Sequence, residues 1–323
     1  MAPSARLGLL VLLLTGCHDY GFQEVRYTQT FVQADLNTKA DMLFVVDNSQ
    51  SMAEEQALLS ANFEAFIEVV EDSRADFQAG VITTDVDTDA DSAGLLRGGM
   101  ITPESPDMGA AFLEQLDVGY YGSRDERGFD AVSLALDGRN PDLIRPGARL
   151  NLVFVSDEDD HSAGSLDDFI TTWRAASGSG ELVAHALVGN MPAGCASGVT
   201  AADPGERYLS VAIMTDGFRD SICSDDYREI LQRIGLDLSN LEDTFFLEAL
   251  PQVSSIEVYV EDVAIPKREL DGWQYDGARN AIVFDGFAVP RPAMPITVFY
   301  EILSADNLPE DSGQGGDDTG TTE

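Results

Sequence analysis

The sequence predicts an α/β chain: a doubly wound, mostly parallel sheet flanked by helices, followed by a small antiparallel β unit. Three observations carry this. Short runs that are apolar almost throughout, such as Met42-Leu43-Phe44-Val45-Val46 and Leu152-Val153-Phe154-Val155, mark strands buried on both faces. These runs alternate with helical patterns over about 200 residues, which is the rhythm of a parallel sheet with crossover helices. Beyond residue 242 the period falls to two, with Ile256, Val258 and Val260 alternating with Glu257, Tyr259 and Glu261.

The N-terminal segment comes first. Arg6 precedes an apolar run over 7–14 and then Thr15-Gly16-Cys17. Eight residues cannot cross a bilayer, which needs about 20 in a helix. A basic start, a short apolar stretch and small residues describe an export signal over 1–16. Leu14-Thr15-Gly16-Cys17 also resembles the lipobox of bacterial lipoproteins. That resemblance implies cleavage before Cys17 and a lipid on it, which would hold the chain to the membrane of a bacterial cell envelope. An ordinary export signal with an incidental cysteine is the other reading. In an oxidising compartment the remaining pair, Cys195 and Cys223, is expected to form a disulfide, with two buried thiols as the alternative.

Residues 17–39 read as a polar tether with an edge strand around 26–32. The domain proper is expected over 40–242, with strands at 41–46, 77–82, 150–155 and 182–188. Helices are expected at 53–70, 127–136, 165–176 and 225–234. The first carries Leu58, Leu59, Phe63, Phe66, Ile67 and Val70 at spacings of one helical face. The β unit is expected over 243–303, with further strands at 281–284 and 296–302 separated by Asp-Gly turns at 271, 276 and 285. Trp273, Tyr275 and Phe284 supply its core. So small a unit is marginal alone and should pack on the larger one. The segment 304–323 has six acidic residues and no basic one, the composition of a disordered tail.

Charge excludes one class of partner. With 19 Lys and Arg against 57 Asp and Glu the net charge is −38, and no basic cluster could replace the counterions of a nucleic acid. At 44% hydrophobic residues the chain still has material for a core.

The chemistry concentrates in the loop after the first buried strand, Asp47-Asn48-Ser49-Gln50-Ser51. Oxygen side chains at alternate positions, at the carboxyl end of a parallel strand, lie where open α/β sheets bind ligands. Such ligands suit a hard cation, and magnesium commonly keeps open positions for water or an external carboxylate.

The stretch Phe44-Val45-Val46-Asp47-Asn48-Ser49-Gln50-Ser51-Met52 resembles the first segment of a von Willebrand factor type A domain, with the Asp-x-Ser-x-Ser motif of the metal-ion-dependent adhesion site. The resemblance covers roughly 38–242. It implies a Rossmann-type fold and one ion, Mg2+ or else Mn2+ or Ca2+, held by Asp47, Ser49, Ser51 and a third-loop aspartate. Asp157, after Leu152-Val153-Phe154-Val155-Ser156, matches that aspartate. The family's second-loop threonine is missing from 120–128, where Ser123 could offer the hydroxyl, with Glu126 a further oxygen donor nearby. The resemblance also implies a protein partner that offers a carboxylate to the metal. Gly80-Val81-Ile82-Thr83-Thr84-Asp85, Arg207-Tyr208 and Ser221-Ile222-Cys223 look like a bacterial lipoprotein subset of the same superfamily.

Other readings stand beside this one. Asp47, Ser49 and Ser51 could simply cap the following helix. The chain could be a structural envelope protein with constitutive, metal-independent packing. A metal-dependent hydrolase would have to draw on His18, His161 or His185, and the sequence holds no Gly-x-Ser-x-Gly and no His-Glu-x-x-His. We therefore expect no catalytic residue. Asp85, Asp87, Asp89 and Asp91 open like a calcium loop, but Ala90 and Leu96 stand where glycine and glutamate are needed, so a solvated acidic loop is expected.

Overall fold

The computed structural model describes residues 23–34, 39–73, 75–198, 200–239 and 241–304. The export signal, Cys17 and the tail beyond residue 304 lie outside the described residues. In chain order the first elements are β1 (Gln23–Val32), β2 (Lys39–Val46), α1 (Ala53–Asn62), α2 (Glu64–Ser73), β3 (Asp76–Thr83), α3 (Met108–Leu116), α4 (Gly128–Leu134) and β4 (Arg149–Ser156). Then come α5 (Leu166–Ala176), β5 (Leu182–Val188), β6 (Cys195–Ala196), β7 (Ala201–Ala202), α6 (Glu206–Met214), β8 (Arg219–Ser221) and α7 (Arg228–Ser239). The rest is β9 (Thr244–Phe246), β10 (Glu257–Val260), β11 (Val263–Ile265), β12 (Trp273–Asp276), β13 (Ala281–Phe284) and β14 (Pro295–Ser304).

The main sheet has the order β3-β2-β4-β5-β8 and every pairing in it is parallel. Central strand β2 shows why its sequence is apolar on both sides. Met42, Phe44 and Val46 pack with Phe63, Phe66 and Phe112 on one face, while Leu43 and Val45 pack with Phe129, Trp173 and Tyr208 on the other. The rings of Phe44, Phe63, Phe66 and Phe112 lie 5.0 to 5.9 Å apart, mostly edge to face, a geometry that adds to their burial. Because β2 starts the sheet and the chain winds first to β3 and then back across to β4, the winding reverses between β2 and β4. A crevice opens at the carboxyl ends of those two strands.

Some elements differ from the sequence expectation. The helix expected at 53–70 is two helices that part at Phe63, whose buried ring stays in the aromatic cluster while α2 lays Phe66, Ile67 and Val70 on the sheet. The last helix of the unit runs Arg228–Ser239, later and longer than expected. Helices α3 and α6 are not legible as periodic segments. In α6 the exposed Ile213 and Met214 blur the apolar stripe formed by Tyr208, Val211 and Ala212.

The edge strand expected around 26–32 is present as β1, and it pairs antiparallel with β14 along its whole length, from Val25 opposite Ile302 to Val32 opposite Pro295. It is an outer strand of the β unit, in a sheet of order β1-β14-β10-β11; a second sheet, β12-β13-β9, packs with it. Trp273, Phe284, Ile296 and Val298 are buried in the shared core, with Tyr275 against its margin. Leu236 of α7 and Leu241 reach into that core, and Gln33 Nε2 donates to Glu242 O at 2.8 Å and to Pro290 O at 2.9 Å. An Arg291–Asp72 ion pair joins the units again. The β unit therefore packs on the larger one.

Two further ties matter. Cys195 and Cys223 form a disulfide with Cα atoms 6.0 Å apart, fixing the β6–β7 hairpin to the segment after β8. In the chain-entropy account a bond closing 28 residues stabilises by about 3 kcal/mol. At the amino end of the sheet, Asp41 is buried and bound by Arg145. The Arg145 amide donates to Asp41 Oδ2 at 2.6 Å and its Nε to Oδ1 at 2.7 Å, while its Nη1 donates to Asp76 at 2.5 Å.

Candidate metal-binding site

Asp47 leaves β2 and Asp157 leaves β4, so the crevice at the reversal of winding receives both carboxylates. Asp47 is fully buried. Its Oδ1 accepts the Ser49 amide at 2.7 Å, its Oδ2 accepts the Ser156 hydroxyl at 2.7 Å, and its own amide donates to Val155 O at 2.9 Å. These bonds stitch the loop to β4. Ser49 is extended (φ −66°, ψ 163°), and the Ser49 and Ser51 hydroxyls lie 3.0 Å apart. The Asp157 side chain hydrogen-bonds to Ser51 and lies against Asp47. The structure thus brings together Asp47, Ser49, Ser51 and Asp157. Asp157 Oδ1 is buried and has no hydrogen-bond partner.

Ser123 makes no hydrogen bond to these four residues. Its hydroxyl accepts the Asp125 amide at 3.0 Å and its own amide faces Asp85. From the same loop it is Glu126 that turns inward, fully buried, with Thr84 donating its hydroxyl to Oε2 and with Oε1 unpartnered. The loop is pinned at two points. Gln56 of α1 donates to Asp47 O at 2.9 Å and to Gly119 O at 3.0 Å, and the Gly122 amide donates to Asn48 O at 2.9 Å. A Cβ at Gly122 would collide with the Asn48 side chain, which is why the approach needs glycine.

The site is overloaded with acid. Burial, and next the charge of Asp47, push Glu126 up to about 9, so it is neutral at physiological pH. Burial and Asp47 push Asp157 up to about 6. Burial, then the charges of Asp157 and Glu54, push Glu55 in the first turn of α1 up to about 7. Asp47 is raised too, by burial, with its bonds to Ser156 and Ser49 pulling back. Among the described residues no Lys, Arg or His forms an ion pair with Asp47 or Asp157; Arg207 is spent on Asp160 at 3.0 Å.

The donors available are therefore two carboxylates and two hydroxyls, all oxygen. Among the described residues no three His, Cys, Asp or Glu side chains converge as a metal cage, so a cation here would depend on the serines. Two negative charges, hydroxyl donors and the unpartnered Asp157 oxygen suit a hard divalent ion. The mouth is a cleft of about 350 Å3 lined by Ser49, Gln50, Ser51, Arg124 and Glu158. A larger cavity of about 560 Å3 lies between α7 and β13, away from the strand ends. Asp237 on its wall is already paired with Arg149 at 2.7 Å.

The histidines fall apart. His185 is buried in β5 and stacked on Phe218, a core residue as expected, while His161 sits at the rim with its Nδ1 3.0 Å from Asp125. Sequence reasoning named Glu126 only as a nearby donor and missed the parts played by Thr84, Glu55 and Arg124. In a chain with 57 acidic residues, one glutamate ahead of a helix carries no mark of burial.

No protein-family model matches the chain, and no curated protein matches it in sequence. Among solved structures it is similar to the pilus adhesin SpaC from Lactobacillus rhamnosus GG in its open conformation, at 12% identity and a TM-score of 0.52, over 86% of this chain and 41% of that one. The chain thus spans about two-fifths of the adhesin's length. It is also similar to a von Willebrand factor type A protein from Catenulispora acidiphila (11% identity, TM-score 0.42, 90% of this chain and 68% of that one). A further similarity is to proximal thread matrix protein 1 from the mussel byssus with a zinc-occupied metal-ion-dependent adhesion site (15%, 0.40, 65% and 48%). At these identities the likeness to SpaC speaks for the fold alone, and the two lower scores carry no argument. The fold is the doubly wound parallel sheet flanked by helices, with an added antiparallel β unit.

Proposed function

We infer that this chain recognises a protein partner through one divalent cation, Mg2+ or else Mn2+ or Ca2+, held by Asp47, Ser49, Ser51 and Asp157 in a von Willebrand A-like domain. The observation that carries this reading is the convergence of two carboxylates and two hydroxyls where the sheet's winding reverses, with one Asp157 oxygen buried and unpartnered and, among the described residues, no ion pair made with either carboxylate. The ion, when bound, supplies a Lewis-acidic position open to a carboxylate of the partner. The chain's residues do the rest. Asp47 is held in one orientation by Ser156 and the Ser49 amide, Gln56 and Gly122 lock the flanking loop, and buried Glu126, bonded by the Thr84 hydroxyl, fills the inner wall. Export and a lipid on Cys17 would place this site on the envelope of a bacterial cell, and the disulfide fits such an oxidising compartment.

The test is calorimetric titration of magnesium, manganese and calcium into the wild-type protein and into Asp47→Ala, with Ser51→Ala as a second variant at the exposed edge of the site. One ion per chain is expected for wild type, with loss of at least 100-fold in Asp47→Ala and a weaker loss in Ser51→Ala. Equal binding by all three proteins overturns the assignment.

A further inference from the structure

The hairpin β6–β7 stands at the carboxyl end of the parallel sheet, the end that carries Asp47 and Asp157, and little of it is anchored by packing. Each of its strands has two residues, and among the described residues the two strands pair only with each other. So short a ladder is marginal by itself. Ala202 is its one buried ladder residue; Cys195 is partly exposed, and Ala196 and Ala201 are exposed. The disulfide supplies the missing anchor. Cys195 lies across the ladder from Ala202, and its partner Cys223 is set in the core of the larger unit. The chain leaving Ala202 then meets the candidate site. The Asp203 amide donates to Asp157 O at 2.8 Å, and beyond it the Arg207 amide donates to Asp159 Oδ1 at 2.9 Å and its Nε to Asp160 Oδ2 at 3.0 Å. The backbone is packed tightly here. A Cβ at Gly189 would collide with Asp203 O, and one at Gly194 with Ala202 O. The disulfide thus reaches the Asp157 backbone by one ladder pair, one peptide link and one hydrogen bond. Asp47 is held apart from this route, by Ser49, Ser156 and Val155.

Building on the metal reading, we propose that the Cys195–Cys223 disulfide is a redox switch for the site: the oxidised chain holds Asp157 in place beside Ser51 and Asp47, and the dithiol chain binds the cation weakly. With the bond open, the hairpin has few buried side chains to hold it, so it opens locally at small cost and takes the Asp203 amide away from Asp157. Groups one step removed from a metal ligand commonly change affinity by about 10- to 100-fold. The chemistry is thiol–disulfide exchange, with a small or protein disulfide as the oxidant. Cys195, the more exposed of the two, attacks one oxidant sulfur as a thiolate and expels the other, which leaves as a thiol. The Cys223 thiolate then attacks Cys195 Sγ, closing the bond and releasing the second oxidant sulfur as a thiol. Two electrons pass to the oxidant, and the two cysteine protons end on its thiols. A chain not yet oxidised would carry every ligand without a finished site, so cation uptake would wait for an oxidising compartment.

The test compares the oxidised wild-type protein, the same protein reduced with dithiothreitol, the reduced protein after reoxidation, and the Cys195→Ser, Cys223→Ser double variant. Calorimetry gives magnesium affinity, and hydrogen exchange read by NMR follows the amides of Asp203 and Asp47. Near-ultraviolet circular dichroism of the buried Trp173 reports that the fold is kept. Reduction should speed exchange at Asp203 by about 30-fold more than at Asp47 and weaken magnesium binding by about tenfold or more. Reoxidation should reverse both effects, and the double variant should reproduce them. Should the reduced chain lose its fold, Asp203→Pro keeps the disulfide, removes the amide and is expected to weaken magnesium by about fivefold or more. Magnesium held within twofold by the folded reduced protein, or by Asp203→Pro where that variant is needed, overturns the switch and leaves the metal site standing. So does an Asp203 amide loosened no more than that of Asp47, the mark of a bond that only stabilises the whole fold. Oxidised wild type that binds no magnesium overturns the metal reading instead, and the exchange rates still decide whether the disulfide governs Asp157.

Discussion

Strand β2 carries a buried carboxylate at each end, and the two are treated in opposite ways. Asp41 and Asp47 are six residues apart and both are inaccessible to solvent. At the amino end, burial raises the Asp41 carboxyl, but Arg145 binds both of its oxygens and also reaches Asp76, so the negative charge is met within the chain. At the carboxyl end Asp47 has the Ser49 amide and the hydroxyls of Ser156 and Ser49, all neutral, while Asp157, Glu158 and Glu126 crowd it with more acid. One end of the strand is electrostatically finished. The other has no ion pair of its own on Asp47 or Asp157 among the described residues, the kind of unbalanced buried charge that marks a candidate functional site.

The comparison can be broken first at its finished end. Arg145→Met leaves Asp41 buried without its cation and should destabilise the protein by about 3–5 kcal/mol in chemical denaturation, while metal affinity stays within twofold. A loss below about 1 kcal/mol would mean that the pairing at this end is incidental. At the open end, Glu126→Gln sharpens the contrast through pH. The folded Glu126 holds its proton up to about 9 against an ordinary 4.5, so the stability it contributes is complete below about pH 4.5 and is lost as pH rises towards 9. Melting without metal should therefore show wild type falling further than the variant across that window, by roughly 4 °C or more at the alkaline end. Parallel curves would count against a neutral Glu126. Smallest is Ser123→Ala, expected to change metal affinity less than twofold because its hydroxyl serves Asp125. A tenfold loss would return Ser123 to the ligand set.

These residues also show where the sequence is informative. Four of the five parallel strands are legible because burial on both faces demands apolar residues throughout, and the loop from Asp47 to Ser51 stands out because it follows the first of them, whereas Asp157 is singled out through the family resemblance. The fifth strand, β8, has only the three residues Arg219–Ser221, none of them apolar, and leaves no such trace. The pairing of β1 with β14 joins positions more than 260 residues apart, and nothing local in 23–32 states its partner. Glu126 is hidden for another reason. Its burial is set by Thr84, by the packing of α4 and by the pins on its loop, none of which is written near it. Motif matching looks for a hydroxyl in this loop and so favours Ser123, whereas the side chain that turns inward is an acid.

The course of β1 also bears on how the molecule would carry load. The backbone runs from residue 23 along β1 and, past residues 35–38, into β2, whose last residue precedes Asp47. A pull between residue 23 and a partner gripping the Asp47 loop would thus pass along two consecutive strands, one at the outer edge of the β unit and one at the centre of the parallel sheet. Strands β9 to β14 lie beside that line of tension and not within it. Paired with β14 along its whole length, β1 would pass part of such a load sideways into the β unit.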